Sequence, residues 1–252
     1  MIRVACLTIA LAAALNAAEY RDLNKTVSLK TNGTLTIENH KGLIHVTTWD
    51  RAEVEIKARI EAEPGTAMDR RRFEETEVLI DSSADAVHVR TRYPDFNWCC
   101  FNDDGNNPEV RYTIQMPRTA RLEIHDHRST TEISDLHGAL QINTHRGTVR
   151  VERLTGPIDL TTHRGDIRIE FAAFSGNSSI DNYRGEVELL MPRNSRFDVQ
   201  ADLGRHANIE TDFALMSRSM SGRSGSVHGA VNGGGPTLRL AAYRGDIRLR
   251  AR

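Results

Sequence analysis

"THRGTVRVERLTGPIDLTTHRGDIRIE", Thr144 to Glu170, carries nearly the same phrase twice: His145-Arg146-Gly147 and His163-Arg164-Gly165 lie 18 residues apart. Each triplet opens a stretch in which branched apolar residues alternate with polar ones, Thr148-Val149-Arg150-Val151 and Asp166-Ile167-Arg168-Ile169. Alternation at period two, bounded by glycine, predicts short half-buried strands. Between the triplets Gly156 introduces another such unit, Pro157-Ile158-Asp159-Leu160, so one period holds two strands.

The pattern extends outward. Gly138, Gly147, Gly156, Gly165, Gly176 and Gly185 are separated by 9, 9, 9, 11 and 9 residues. A nine-residue unit is too short for a crossover helix, so parallel stacking of successive coils is the economical arrangement. The predicted fold is all-β: a parallel β-helix-like solenoid of short Gly-x-Ile-x-Ile strands, with an up-and-down sandwich as the alternative. His127-Arg128-Ser129, His145, His163 and Tyr183 begin successive rows, and the chain ends on Tyr243-Arg244-Gly245-Asp246-Ile247-Arg248-Leu249. A second echo, "QMPRTARLEI" (Gln115 to Ile124) and "LMPRNSRFDV" (Leu190 to Val199), puts Pro117 and Pro192 where proline is tolerated, at an edge or corner.

Further strands are predicted at Thr26 to Leu29, Thr34 to Glu38, Leu43 to Thr47, Val54 to Ile60, Val78 to Asp81 and Ala86 to Thr91, with a short surface helix or loop over Pro64 to Thr76. Residues 94–108 and 217–236 read as irregular loops. No composition shift divides the chain, so one elongated domain over residues 19–252 is expected.

Residues 1–18 differ in kind. Arg3 precedes the apolar run Val4 to Leu15 and the small residues Ala17 and Ala18, the pattern of a cleaved secretory signal peptide. The run is about half the ~20 residues a spanning helix requires. An exported protein is therefore expected, periplasmic, surface-located or secreted, with no transmembrane segment in the mature chain. Cys99 and Cys100 are then the remaining cysteines; an oxidising compartment permits a vicinal disulfide or an intermolecular bridge, but two cysteines are not a framework. With 33 basic and 34 acidic side chains, bulk charge gives no reason to expect a nucleic-acid partner.

"GTLTIENHKGLIHVTTWDRAEVEIKARIE" (Gly33 to Glu61), the Met-Pro-Arg lead-ins, the serial Gly-x-Ile-x-Ile strands and the closing "VNGGGPTLRLAAYRGDIRL" together resemble the bacterial putative-adhesin family of β-strand-repeat domains of unknown function, over roughly Thr26 to Arg250. The resemblance implies an exported, β-helical, non-enzymatic envelope protein and brings no catalytic motif. The chain departs from the commoner pattern in its His-Arg or Tyr-Arg before glycine and in its Cys99-Cys100 loop.

Stacked coils place equivalent residues about 4.8 Å apart. The 18-residue register would therefore make one column of His127, His145, His163 and Tyr183 and another of Arg128, Arg146, Arg164 and Arg184. Unit charges so close repel by roughly 1 kcal/mol in water, so the arginines need splaying, carboxylate partners or a bound anion. Glu132, Glu152, Asp166, Glu170, Glu186 and Glu188 are near enough in sequence to supply salt bridges at a solvated corner. The alternative is a ligand ridge in which Arg128, Arg146, Arg164, Arg184, His145 and His163 meet an anionic glycan or lipid headgroup, or an envelope protein. No metal or cofactor is expected: His125-x-His127 has no Cys or carboxylate at zinc spacing, and Asn102 to Asn107 lacks the spaced glutamate of an EF-hand.

Nucleophile-elbow, phosphate-loop and dinucleotide motifs are absent. The expected function is a non-catalytic cell-envelope binding or structural module. A carbohydrate-active β-helix enzyme, with Asp166 and Glu186 as a stacked carboxylate pair, is one alternative; an accessory or sensor subunit of an envelope system is another. The C-terminal Arg248, Arg250 and Arg252 would discourage end-to-end stacking of an open strand edge.

Overall fold

The computed structural model describes residues 19–62, 65–94, 107–214 and 225–252. The signal peptide, Cys99 and Cys100, and the body of the Asn102 to Asn107 loop lie outside these residues. The described chain is all-β apart from one short helix, α1 (Ala67–Glu75), which starts in a reciprocal cap between Thr66 and Asp69 and buries Phe73. No helix among the described residues is long and apolar enough to cross a membrane.

The 18-residue period is a hydrogen-bonded register. In one row, β7 (Arg121–Ser134), β8 (Leu140–Arg146), β10 (Ile158–Arg164), β12 (Ser178–Arg184) and β16 (Thr237–Ala251) pair in parallel, with Leu122, Leu140 and Ile158 side by side. In the other, β7, β9 (Val149–Leu154), β11 (Ile167–Phe171), β13 (Val187–Met191) and β16 again pair in parallel. Inward residues superpose: Val149, Ile167, Val187 and Ile247 form one column, each no more than 2% exposed. Burying each such side chain contributes roughly 1.5–3 kcal/mol, and the column does so without any helix.

The parallel stacking matches the expectation from the repeat, but the ladder does not run as a plain open solenoid. Strands β7 and β16 are 14 and 15 residues long and pass through the corner where the other coils break into two strands. Each pairs with both rows, so β7, β8, β10, β12, β16, β13, β11 and β9 form a closed ring of eight parallel strands. Outside β7 lies β2 (Thr34–Trp49), in register with it from Thr34 to Val46, which merges the two strands expected at Thr34 to Glu38 and Leu43 to Thr47. Beyond β16 lies β14 (Phe197–Thr211). The C-terminal strand is thus inserted between coils that precede it in the chain.

Antiparallel strands complete the sheet. β6 (Glu109–Pro117) and β5 (Ala86–Arg92) extend β2 in parallel; β3 (Glu53–Ala62) adds antiparallel to β6, β1 (Glu19–Ser28) antiparallel to β3, and β4 (Glu77–Ser82) antiparallel to β5. At the other end, β15 (Gly225–Val231) pairs antiparallel with Phe197–Leu203. Part of the stretch expected to be an irregular loop is therefore strand: cross-strand pairing with β14 overrides the weak strand preference of its glycines and serine. The two Met-Pro-Arg phrases lead into β7 and β14, each through a tight turn, Ala120 N donating to Pro117 O and Ser195 N to Pro192 O.

Glycine at the corner has two causes. Gly147 has φ +142° and Gly185 φ +137°, and a Cβ on Gly147 would overlap the backbone carbonyl of Ser129 one coil below. Gly147→Ala should therefore lower unfolding stability by about 2 kcal/mol or more, read as a fall in the urea midpoint. Gly225→Ala, where the nearest atom to an added Cβ is Leu203 Cβ at 4.0 Å, should be close to neutral. Equal effects at the two positions would contradict this account of the corner.

Candidate functional site

From β2 to β12 the corner repeats a four-residue phrase, a polar residue turned inward, a ring, a cation and a small residue; on β16 the inward place is taken by Ala242. The inward residues Asn39, Thr144, Thr162 and Asn182 are buried. Several close the corner by hydrogen bonds to backbone: Asn39 Nδ2 donates to Val110 O at 3.3 Å, Asn182 Nδ2 to Gly165 O at 3.1 Å, and Arg184 N donates to Asn182 Oδ1. At the β2 end these groups form a continuous network. Tyr112 and Thr91 hydroxyls lie 2.6 Å apart, Thr91 donates to Asn39, and Asn39 donates to Ser129 Oγ at 3.1 Å. Asp126 accepts from Ser129 N, Ser129 Oγ and Thr144 Oγ1.

Desolvation raises the pKa of Asp126 above its ordinary 3.8, against the pull of those hydrogen bonds. The folded protein then holds this proton more tightly than the unfolded chain. Its contribution to stability is fullest at acid pH and declines as pH rises from 3.8 through the raised value.

The rings form a longer column than the sequence row of His127, His145, His163 and Tyr183. His40 stacks on His127 with centroids 4.7 Å apart, and the series continues to His145 at 5.0 Å, His163 at 4.9 Å, Tyr183 at 4.8 Å and Tyr243 at 4.8 Å, with interplanar angles of 2° to 11°. Tyr93 closes the β2 end edge-on to His40, at 5.7 Å and 69°. The spacing is that of the ladder, and each ring pair contributes about 0.5–1.5 kcal/mol beyond burial.

The cations follow in register: Lys41 beside Arg128, Arg128 beside Arg146, Arg146 beside Arg164, and Arg184 beside Arg244. The link between Arg164 and Arg184 is made by Gly165 N donating to Arg184 O at 3.0 Å. The carboxylates expected to neutralise these arginines are engaged elsewhere. Glu132 meets His45 and Arg150, Glu152 meets Arg153, Glu170 meets Arg252, Glu186 meets Arg248 at 2.6 Å, and Glu188 meets Arg168. Asp166 accepts from the backbone N of Glu186 at 3.0 Å. Among the described residues, Arg128, Arg146, Arg164, Arg184 and Arg244 have no carboxylate within 4.0 Å, whereas Lys41 pairs with Glu109 at 3.2 Å. The salt-bridged corner expected from the sequence is replaced by an unneutralised one, because cross-strand partners on the flat faces take the acids.

Two details mark the β2 end of the column. Arg128 Nε is buried without a hydrogen-bond partner. Arg128 also lines a shallow cleft with Lys41, Arg111, Glu109, Ser129, Thr130 and Thr148; there Lys41 pairs with Glu109 and Arg111 with Glu61, so Arg128 is the cation of the cleft without a carboxylate partner among the described residues. The remaining arginines are accessible: Arg146, Arg164 and Arg244 are exposed and Arg184 half-buried. Arg244 lies over its neighbour Tyr243, 6.0 Å from the ring centroid.

Sequence reading placed Arg128, Arg146, Arg164, Arg184, His145 and His163 at this corner, and the structure brings them together. It missed the first rung, His40-Lys41-Gly42, and did not join Tyr243-Arg244 to the column. The signal for both was the same ring-cation-glycine phrase. The Asp166 and Glu186 pair is a backbone cap and an ion-pair partner of Arg248. Arg248, Arg250 and Arg252 do not blunt an end: on the inserted strand β16 they pair with Glu186, with Glu210 and Asp212, and with Glu170 respectively.

Among known proteins, the Toastrack DUF4097 family model matches residues 30–250. No curated protein matches the chain. Among solved structures, a "putative cell adhesion protein" from Clostridium sporogenes ATCC 15579 is 11% identical with a TM-score of 0.48, over 93% of this chain and 100% of that one. A "putative adhesin" from Bacteroides fragilis NCTC 9343 is 8% identical with a TM-score of 0.35, over 91% and 97%. A "putative lipid binding protein" from Parabacteroides distasonis ATCC 8503 is 7% identical with a TM-score of 0.29, over 90% and 96%.

Stacking also sets a pH response. The pKa of His145 is lowered from its ordinary 6.5, first by desolvation and then by His127, His163, Arg146 and Arg164. A histidine whose folded pKa is depressed contributes fully above 6.5 and loses that contribution as pH falls through the lowered value. His145→Phe keeps a ring in the column and removes the titration. It should unfold at nearly the wild-type urea midpoint at neutral pH and lose less stability than wild type on acidification to about pH 5. A variant that matches the wild-type acid loss would show that the column is not the source of that sensitivity.

Proposed function

The chain belongs to the Toastrack DUF4097 family, and on that premise we propose that it is an exported, non-catalytic cell-envelope module that binds an anionic ligand through the arginine column. One observation carries this reading: among the described residues, five arginines in a row lack carboxylate partners on a molecule whose flat faces are laced with cross-strand ion pairs. Stacking like charges at rung spacing costs about 1 kcal/mol per neighbouring pair in water, and more where solvent thins. A bound anion removes that cost. Glycine beside each arginine of the short strands is explained by the corner itself and needs no ligand.

The signal-peptide pattern of residues 1–18 supports export of the working domain, residues 19–252, to the periplasm, the cell surface or the medium. Adhesion of this kind needs a rigid surface, which the closed ring supports, and no reaction centre. The carbohydrate-active alternative depended on Asp166 and Glu186 standing as a free pair, and both are engaged. Anionic glycans, lipid headgroups and acidic envelope proteins share the chemistry that guanidinium groups recognise.

Binding of the protein to arrays of acidic and neutral glycans and to anionic and neutral lipids tests the proposal. Salt-sensitive binding to acidic ligands is expected, falling at least tenfold in Arg146→Ala/Arg164→Ala with the circular-dichroism spectrum unchanged. Binding indifferent to the double variant would leave the arginines as corner scaffolding.

A further inference from the structure

Resting on that anionic-ligand reading, the column's shape narrows the ligand. We infer that it is a linear polyanion, an extended chain with an acidic group on successive units, lying along the stack and crossing all five arginine rungs. A single phosphate, a single sugar acid or a flat membrane surface fits the column less well.

The first argument is dimensional. The five arginines occupy equivalent positions on consecutive coils, and the rings beside them are spaced 4.8–5.0 Å apart. Four steps of about 4.8 Å make a line of roughly 19 Å. That spacing is shorter than the ~8 Å screening length at physiological ionic strength, so neighbouring rungs add their fields. A small anion relieves the repulsion at one or two rungs and leaves it at the others. A chain with repeated charges relieves all of it and releases its condensed counterions as it binds.

The second argument is the column's narrowness. On one side the arginines are bordered by the ring column, which presents uncharged edges when the histidines are neutral. On the other side, past the glycines, stand Asp166, Glu186 and Asp246, of which Glu186 and Asp246 share Arg248 as an ion-pair partner. A planar anionic surface resting on the ridge would meet those carboxylates as well as the arginines. A thread lying on the arginines avoids them. Arg248 offsets part of their charge, so the acids border the thread as a partial fence.

The third is polarity along the axis. The fence flanks the β10, β12 and β16 rungs, while Ser129-Thr130 and Gly147-Thr148 occupy the corresponding places on β7 and the coil after it. At this end sits the cleft that Arg128 lines with the hydroxyl side chains of Ser129, Thr130 and Thr148; Lys41 and Arg111 in it are paired with Glu109 and Glu61, and Arg128 Nε is buried without a partner among the described residues. The thread is therefore held most firmly at the β7 end, where hydroxyl groups join the guanidinium groups, and runs outward toward Arg244.

The test is a length series. Oligogalacturonates from the monomer upward supply carboxylate chains, linear polyphosphates of graded length supply phosphate chains, and phosphatidylglycerol vesicles in phosphatidylcholine supply an anionic plane. In at least one of the two chain series, affinity is expected to rise with each added unit until the chain spans the five rungs, then level off. The slope of log affinity against log salt should steepen over the same range, and the better series identifies the acidic group. In Arg146→Gln/Arg164→Gln, which interrupts the column at its middle, the rise should stop at the length of a short oligomer. Binding of monomer or pyrophosphate as tightly as the longest chain would overturn the linear ligand and leave a discrete anion site. Vesicle binding without chain binding would overturn it in favour of a membrane surface. No binding to any anion at any salt would sink the anionic reading itself.

Discussion

Parallel hydrogen bonding in register is the constraint on which the rest depends. Once coils stack about 4.8 Å apart with a fixed residue offset, every position in the repeat becomes a column. Like side chains then lie on like, whether or not their chemistry favours it. For Val149, Ile167, Val187 and Ile247 the result is a dry core. For His40, His127, His145, His163, Tyr183 and Tyr243 it is a stack of rings. For the arginines that follow the rings it is self-repulsion, which the same fold relieves elsewhere with alternating charges, as in Arg168 against Glu188 and Glu186 against Arg248.

The corner shows what such stacking demands of the backbone. Carbonyls of one coil point at the glycine of the next, which leaves no space for a Cβ. Inward amides near that glycine, Asn39 and Asn182, tie the turn to neighbouring coils and answer backbone atoms that the corner would otherwise leave unpaired. Ring and cation are the two outward positions left. The ring column is fully used in stacking. Among the described residues the five arginines of the cation column meet no carboxylate, and this asymmetry is the physical basis of the functional reading.

Much of this was legible in sequence because a short repeat writes its own register. The glycine spacing located the strands of the ring, the alternation named the core column, and the His-Arg-Gly phrase named the corner. What the repeat does not encode is order in space. Nothing in Thr237–Ala251 says that this strand inserts between β14 and the coil of β12 and β13, since its phrase resembles every other rung. Nor does composition reveal that β7 and β16 run unbroken through the corner and close the ladder. The fate of the carboxylates was misjudged for a related reason. Proximity in sequence put Glu186 and Glu188 near the arginines, but residues on the flat faces find partners across the ladder, 20 or 62 positions away.

The central claim is that the arginine column is electrostatically unsatisfied in the free protein, and stability measures this more directly than binding does. Arg146→Gln/Arg164→Gln retains much of the aliphatic stems and removes the two middle charges. Urea unfolding of this variant and wild type, compared at low and high salt without ligand, separates the possibilities. A higher midpoint for the variant at low salt, shrinking toward wild type as salt screens the repulsion, is the predicted result. A lower midpoint at both salt concentrations would mean that these arginines hold the corner together, and would contradict the account.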